Sequence, residues 1–334
     1  VGRLSDHLLF ATVLLYAVAM LAFAAVSGTR RAARVSARVE ERVLVGAGGP
    51  EVVEAAVIEP APERVGRAGQ VAVLFTAIGW VVHVTSVVTR GFAAHRVPWG
   101  NMYEFSSCVA LIAVTGFLVV LQQRKVDVSV GAFVMVPVVL YLGLASTVLY
   151  TKAGPLVPAL NSYWIKIHVA AAILASGAFL LSGVMSLLYL LRQRYDATVE
   201  LISAGVPTRT TALTRKEKPV ALRFPFTVGQ MLPSAQTLDR ASYAVIAFAF
   251  PIWTFAIIAG AIWAESAWGR YWGWDPKETW SFITWVLYAG YLHARATAGW
   301  KGNKAAWISV AAAVALIIDY YVVNIFVVGL HSYA

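Results

Sequence analysis

Eight stretches of this sequence are long and apolar enough to cross the hydrocarbon core of a bilayer, which takes about 20 residues of helix. They run at about 7–27, 69–89, 103–121, 130–150, 165–191, 242–264, 280–296 and 305–329. None shows the short alternating pattern of a β-barrel strand. The composition agrees with a membrane chain: 59% of residues are hydrophobic and 13% charged, where soluble domains carry about 25% charge. The expected fold is all-α, a polytopic membrane helical bundle of about eight transmembrane helices.

Charge sets the orientation. Taken alternately, the loops at 28–68, 122–129, 192–241 and 295–304 hold 7, 2, 8 and 3 Lys or Arg, which is 20 of the 27 in the chain. Such an excess marks the cytoplasmic side. Both termini and the loops near 90–102, 151–164 and 265–279 are then expected outside. The net charge of +10 is mostly topology on this reading, and no nucleic-acid partner is expected. Residues 11–27 resemble a signal-peptide core, with AFA at 22–24 as a cleavage site. Only Arg3 precedes them, however, and the basic residues follow, which favours an uncleaved first helix. The loops 28–68 and 192–241, the latter containing TRTTALTRKEKP, read as solvated, partly disordered connectors. They suggest a division into 1–68, the first helix plus a linker, and 69–334, the remaining bundle.

The one cysteine, Cys108, lies inside the third span. An intramolecular disulfide or a CxxC pair is excluded, so any thiol chemistry must come from another protein. In VPWGN, Pro98, Gly100 and Asn101 punctuate the chain before a span, and Asn101 with Glu104 has the spacing of a capping box.

The six histidines are His7, His83, His95, His168, His293 and His331. His168, at the start of the fifth span, and His331, after the eighth, fall on the same outer face. His293 lies about 13 residues into the seventh span, roughly 20 Å inward, with Arg295 close behind it. His83 lies roughly 10 Å deep in the second. An ionisable group within a span is a functional candidate; a neutral imidazole bonded to a neighbouring helix is the alternative. Two imidazoles facing one site suit the iron of haem, whereas zinc needs three or four ligands.

WGRYWGWDPKETW, residues 268–280, places four tryptophans in thirteen residues. Trp268, Tyr271, Trp272, Trp274 and Trp280 can cover the flat face of a haem, and Arg270 and Lys277 can meet its propionates. An interfacial aromatic belt is the competing reading. Within the stretch DPKE is a helix start, with Asp275 as N-cap, Pro276 at the first helical position and Glu278 two residues on.

WGRYWGWDPKETW, followed by TWVLYAGYLHAR, resembles the WWD signature of haem-handling cytochrome c biogenesis proteins of the CcsA or ResC type. VPWGNMYEF, WIKIHV and GLHSY extend the resemblance over most of the chain from about residue 80. It implies a plasma-membrane protein with its haem site at the extracytoplasmic face. It implies haem b as the bound substrate and a CcsB or ResB type membrane partner. The two together would join haem vinyl groups to the CxxCH thiols of apocytochrome c, as a cytochrome c synthase complex, while a thioredoxin-like protein keeps those thiols reduced. His168 and His331 match outer haem ligands and His293 a ligand that holds haem in transit. His83 matches less closely. Trp268, Trp272, Trp274, Trp280, Arg270 and Asp275 belong to the signature. A haem chaperone without ligation activity and a b-type electron-transfer subunit are alternatives. A haem-free transporter would need mid-membrane charges, and Asp319 in the last span is the lone exception to their scarcity.

Overall fold

The computed structural model describes residues 2–45, 66–123, 125–155, 162–203, 226–297 and 299–331, with side chains described outside 27–45, 202–203 and 226–227. Among these residues there is no strand. The long helices are α1 (Gly2–Val45), α2 (Arg67–Ala94), α3 (Met102–Gln122), α4 (Gly131–Thr147), α5 (Tyr163–Ser203), α6 (Ala235–Trp268), α7 (Pro276–Ala296) and α8 (Asn303–Ile317). A π-helical turn at Ile318–Val323 and the short α9 (Asn324–Phe326) continue α8.

Seven of these helical segments are long and apolar enough to cross a membrane. The eighth expected span, α7, has the length but is too polar to count by composition. Its polar groups recur at Glu278, Ser281, Thr284, Tyr288, Tyr291 and Arg295, three or four residues apart, so they share one face. Glu278, Thr284, Tyr288 and Tyr291 are buried, and Arg295 pairs with Asp239 of α6 at 2.9 Å. The helix turns this face to its neighbours rather than to lipid.

The two connectors differ from expectation. Helix α1 continues to Val45 and α5 to Ser203, well beyond the ends of their apolar runs, and α6 already begins at Ala235. From 29 to 45 the sequence is rich in Ala, Arg and Glu with no Gly or Pro, and such residues propagate a helix in water. In α5 an Arg192–Asp196 pair at 2.8 Å, one turn apart, supports the same extension. The linker residues 46–62, the TRTTALTRKEKP segment at 208–219 and Pro158 lie outside the described residues.

Packing divides the bundle into two connected parts. In one, α1 lies against α2 and α4 around Tyr16, Phe23, Phe117 and Leu142. In the other, α5, α6, α7 and α8 close around Phe179, Trp253, Tyr288 and Leu316. Helix α5 joins the two.

The segment between α2 and α3 is firmly built. His95 ends α2 in the left-handed conformation, φ 51°, which accounts for this histidine without a ligand role. Asn101 accepts the Glu104 N–H at 2.9 Å and caps α3. Glu104 does not complete a capping box at Asn101. Its carboxylate instead accepts the Gly100 N–H at 2.9 Å, Arg90 Nε at 3.0 Å and Arg96 Nη1 at 2.6 Å. Arg90 also reaches Asp6 of α1 at 3.3 Å and the Thr151 carbonyl, and Arg96 donates to the Gly154 carbonyl at 3.0 Å. One buried carboxylate thus ties α1, α2, α3 and the segment after α4 together at the end of the bundle that the charge pattern assigns to the outside.

Candidate functional site

At that end a cavity opens between α3, α5, α6, α7 and the π-helical turn. It holds about 1590 Å³ of space between atoms, part of it open to solvent. Trp253, Trp263, Tyr271, Trp272 and Tyr320 give its walls an aromatic character, and both His168 and His331 line it. These histidines lie 163 positions apart in the sequence and meet because the N-terminus of α5 and the segment after α9 end on the same side.

Each imidazole is oriented by its Nδ1. His168 Nδ1 lies 2.7 Å from the carbonyl oxygen of Ala256. A carbonyl only accepts, so Nδ1 carries the proton and the lone pair of the neutral ring is on Nε2. His331 Nδ1 donates to Asp275 Oδ2 at 2.8 Å. Histidines that ligate metals usually show this pattern, with the second ring nitrogen donating to a carbonyl or carboxylate. Gly260 makes the first contact possible: a Cβ there would sit 2.7 Å from His168 Nδ1. Trp268 and Trp263 meet the His331 ring edge-on, with centroids 4.8 and 6.0 Å away.

Asp275 does more than start α7. Its Oδ1 accepts the Leu330 N–H at 2.9 Å while Oδ2 holds His331. Burial pushes this carboxyl up, but the Leu330 N–H and the His331 ring outweigh burial and leave it below the usual aspartate value. Burial is also the largest influence on His331; it outweighs the Asp275 contact and lowers the imidazole below 6.5. The pair is therefore a neutral imidazole against a carboxylate near pH 7.

The aromatic stretch divides by orientation. Trp272 lines the cavity. Trp268 supports His331, as above. Trp274 is 64% exposed and turns outward, with edge-on contacts to Trp272 and Phe282. Its φ of 57° is unusual for a bulky residue. Glu278 Oε2 fixes the backbone on both sides of it by accepting the N–H groups of Gly273 at 2.8 Å and Asp275 at 3.1 Å. Trp280 is half-buried away from the cavity. Arg270 also lies outside it, with its guanidinium where a Cβ on Gly273 would stand.

Two candidate histidines lie elsewhere. His83 is fully buried, with Nδ1 3.3 Å from Tyr16 Oη and Nε2 3.0 Å from Ser107 Oγ. His293 is exposed near the inner end of α7, about 26 Å along the helix from Pro276 at 1.5 Å per residue. Sequence reasoning missed Gly260, Trp263 and the bond from Asp275 to His331. Asp319, the lone charge in the last span, has a partner: Lys277 Nζ lies 3.8 Å from its Oδ1 and donates to its backbone carbonyl at 2.9 Å.

Comparison with known proteins covers this whole site. The profile of the family described as Cytochrome C assembly protein matches residues 99–331. Among similar curated proteins is the cytochrome c biogenesis protein CcsA of Gloeobacter violaceus, 35% identical over 285 residues, covering 76% of this chain and 83% of that protein. The CcsA of Mesostigma viride is 33% identical over 248 residues, covering 73% and 79%. That of Trieres chinensis is 36% identical over 254 residues, covering 73% and 80%.

Proposed function

Because the chain belongs to the cytochrome c assembly protein family and is of the CcsA type, we propose that its outer cavity holds haem b and presents it for attachment to apocytochrome c. The observation that carries this reading is the pair His168 and His331 on one aromatic cavity, each with Nδ1 committed to an acceptor. Those residues fit a haem: two neutral imidazoles for the iron and aromatic faces for the ring. When bound, haem supplies the vinyl groups across which the thiols of a CxxCH motif add.

The chain's own residues hold and orient. His168 and His331 supply Nε2 lone pairs, Asp275 and the Ala256 carbonyl fix the ring planes, and Trp263 and Trp272 cover the face. Cys108 is buried, with its thiol donating to the Pro98 carbonyl at 3.4 Å, so it does not take part. Reduced thiols then come from apocytochrome c and a thioredoxin-like reductant. His293, which is exposed on α7, would ligate haem in transit together with a CcsB or ResB type partner.

The test is the absorption spectrum of the chain purified with that partner. The expected spectrum is that of low-spin haem with two imidazole ligands. A complex that lacks haem while c-type cytochromes mature normally would overturn the proposal.

A pH dependence follows from His331. Its pKa is lowered, so the folded state keeps the ring neutral where the unfolded chain begins to protonate. The neutral-ring contribution is full above 6.5 and is lost as pH falls through the lowered folded value. Haem retention, followed by Soret absorbance, is expected to be flat from neutral pH upward and to decline only below 6.5. A decline centred above that value would contradict the assignment.

A further inference from the structure

The charged side chains on the cavity wall are unequally satisfied. Glu278 accepts two backbone N–H groups. Asp319 faces Lys277. Lys277 has three N–H donors and makes one hydrogen bond among the described residues, to the Asp319 carbonyl. Lys166 also lines the cavity and has neither an ion pair nor a hydrogen bond among the described residues. It lies in the first turns of α5, a 41-residue helix with no acidic residue in its first turn. A helix N-terminus carries partial positive charge, which acids normally offset. A lysine there adds to that charge, and the combination favours an anion.

We propose that Lys166, with Lys277 on the same cavity, anchors the carboxylates of the bound ligand. The inference rests on the haem reading and deepens it: the ligand must be a dicarboxylate, and two lysines rather than Arg270 meet its propionates. Arg270 is not among the residues that line the cavity, and its guanidinium packs over Gly273. Lys277 has donors to spare without breaking its bond to Asp319, and Lys166 has all three. The two lysines lie 111 residues apart within the matched region, on α5 and α7. Together with the two histidines they would fix the ring in its plane as well as along its axis.

The test compares haem b with its dimethyl ester, which keeps the ring and iron but lacks both negative charges. The full chain with its membrane partner is titrated with each and followed by Soret absorbance. Lys166→Gln is expected to weaken haem b by roughly 10- to 100-fold, the scale of a hydrogen bond to a charged group. The ester should bind wild type and Lys166→Gln alike, and Lys166→Arg should restore haem b. The Lys277→Gln change should add to the loss. Equal binding of haem b by wild type and Lys166→Gln would overturn the anchor while leaving the haem reading intact. So would a loss that affects the ester equally, because that would mark Lys166 as structural. Wild type that binds neither haem b nor the ester would overturn the haem reading itself.

Discussion

Alanine at His331 is expected to remove the outer-cavity share of the low-spin haem spectrum of the purified complex, and alanine at His168 to do the same. Each change removes one Nε2 lone pair and leaves the iron a single protein ligand at the outer cavity. The loss should exceed the roughly 10–100-fold that follows when a ligating histidine loses only its hydrogen-bonding partner. Asp275→Asn provides that smaller change, because an amide oxygen can still accept from Nδ1 but without charge. The ranking is therefore His331→Ala well below Asp275→Asn, and Asp275→Asn below wild type. Added imidazole should refill the hole in the alanine variants and restore the spectrum, which separates a missing ligand from a collapsed bundle. Normal haem content and normal cytochrome c maturation in both alanine variants would refute the assignment of the outer ligands.

The second large effect belongs to a residue that touches no ligand. Glu104 is 1% exposed and holds Arg90 and Arg96. Glu104→Ala leaves Arg96 without its carboxylate partner and Arg90 with only Asp6 at 3.3 Å, in a largely buried place. Removing one partner of a buried ion pair costs about 3–5 kcal/mol. A clear drop in melting temperature is expected in detergent, and the Trp99–Phe105 side of the cavity should loosen with it. Glu104→Gln keeps the shape and one acceptor oxygen but not the charge, so it should fall between. An unchanged melting temperature for Glu104→Ala would show that the Arg90–Glu104–Arg96 cluster does not hold the outer end together.

Much of this architecture was legible in the sequence, and for identifiable reasons. Apolar runs of membrane length are a local signal, so all the long helices were expected, and their alternation of charge placed His168 and His331 on one face. The DPKE helix start was also local and was found where expected. The contacts that make the site are not local. Asp275 and His331 are 56 residues apart, Lys277 and Asp319 42, and His168 and Ala256 88. No periodicity announces such pairs. The tryptophans show a different limit: composition weighs them equally, while one unusual backbone angle at Trp274 sends that ring outward and leaves Trp272 in the wall. The helices run past the lipid boundary because propensity continues after hydropathy stops, which a reading based on apolar runs does not register.

The buried polar face of α7 bears on how the chain enters the bilayer. Charged residues cost about 2.5–3.5 kcal/mol each near the centre of an inserting helix and less toward its ends. A segment with Lys277, Glu278, His293 and Arg295 has little reason to partition into lipid by itself. It can do so beside α6, which offers Asp239 to Arg295, and ahead of the last helix, which offers Asp319 to Lys277. We expect α7 to insert together with α6 as a hairpin, with the tryptophan loop as its tip. On the topology that the charge pattern predicts, only chains in which these helices have found one another would carry the loop across the membrane. Assembly quality and display of the site are then a single event.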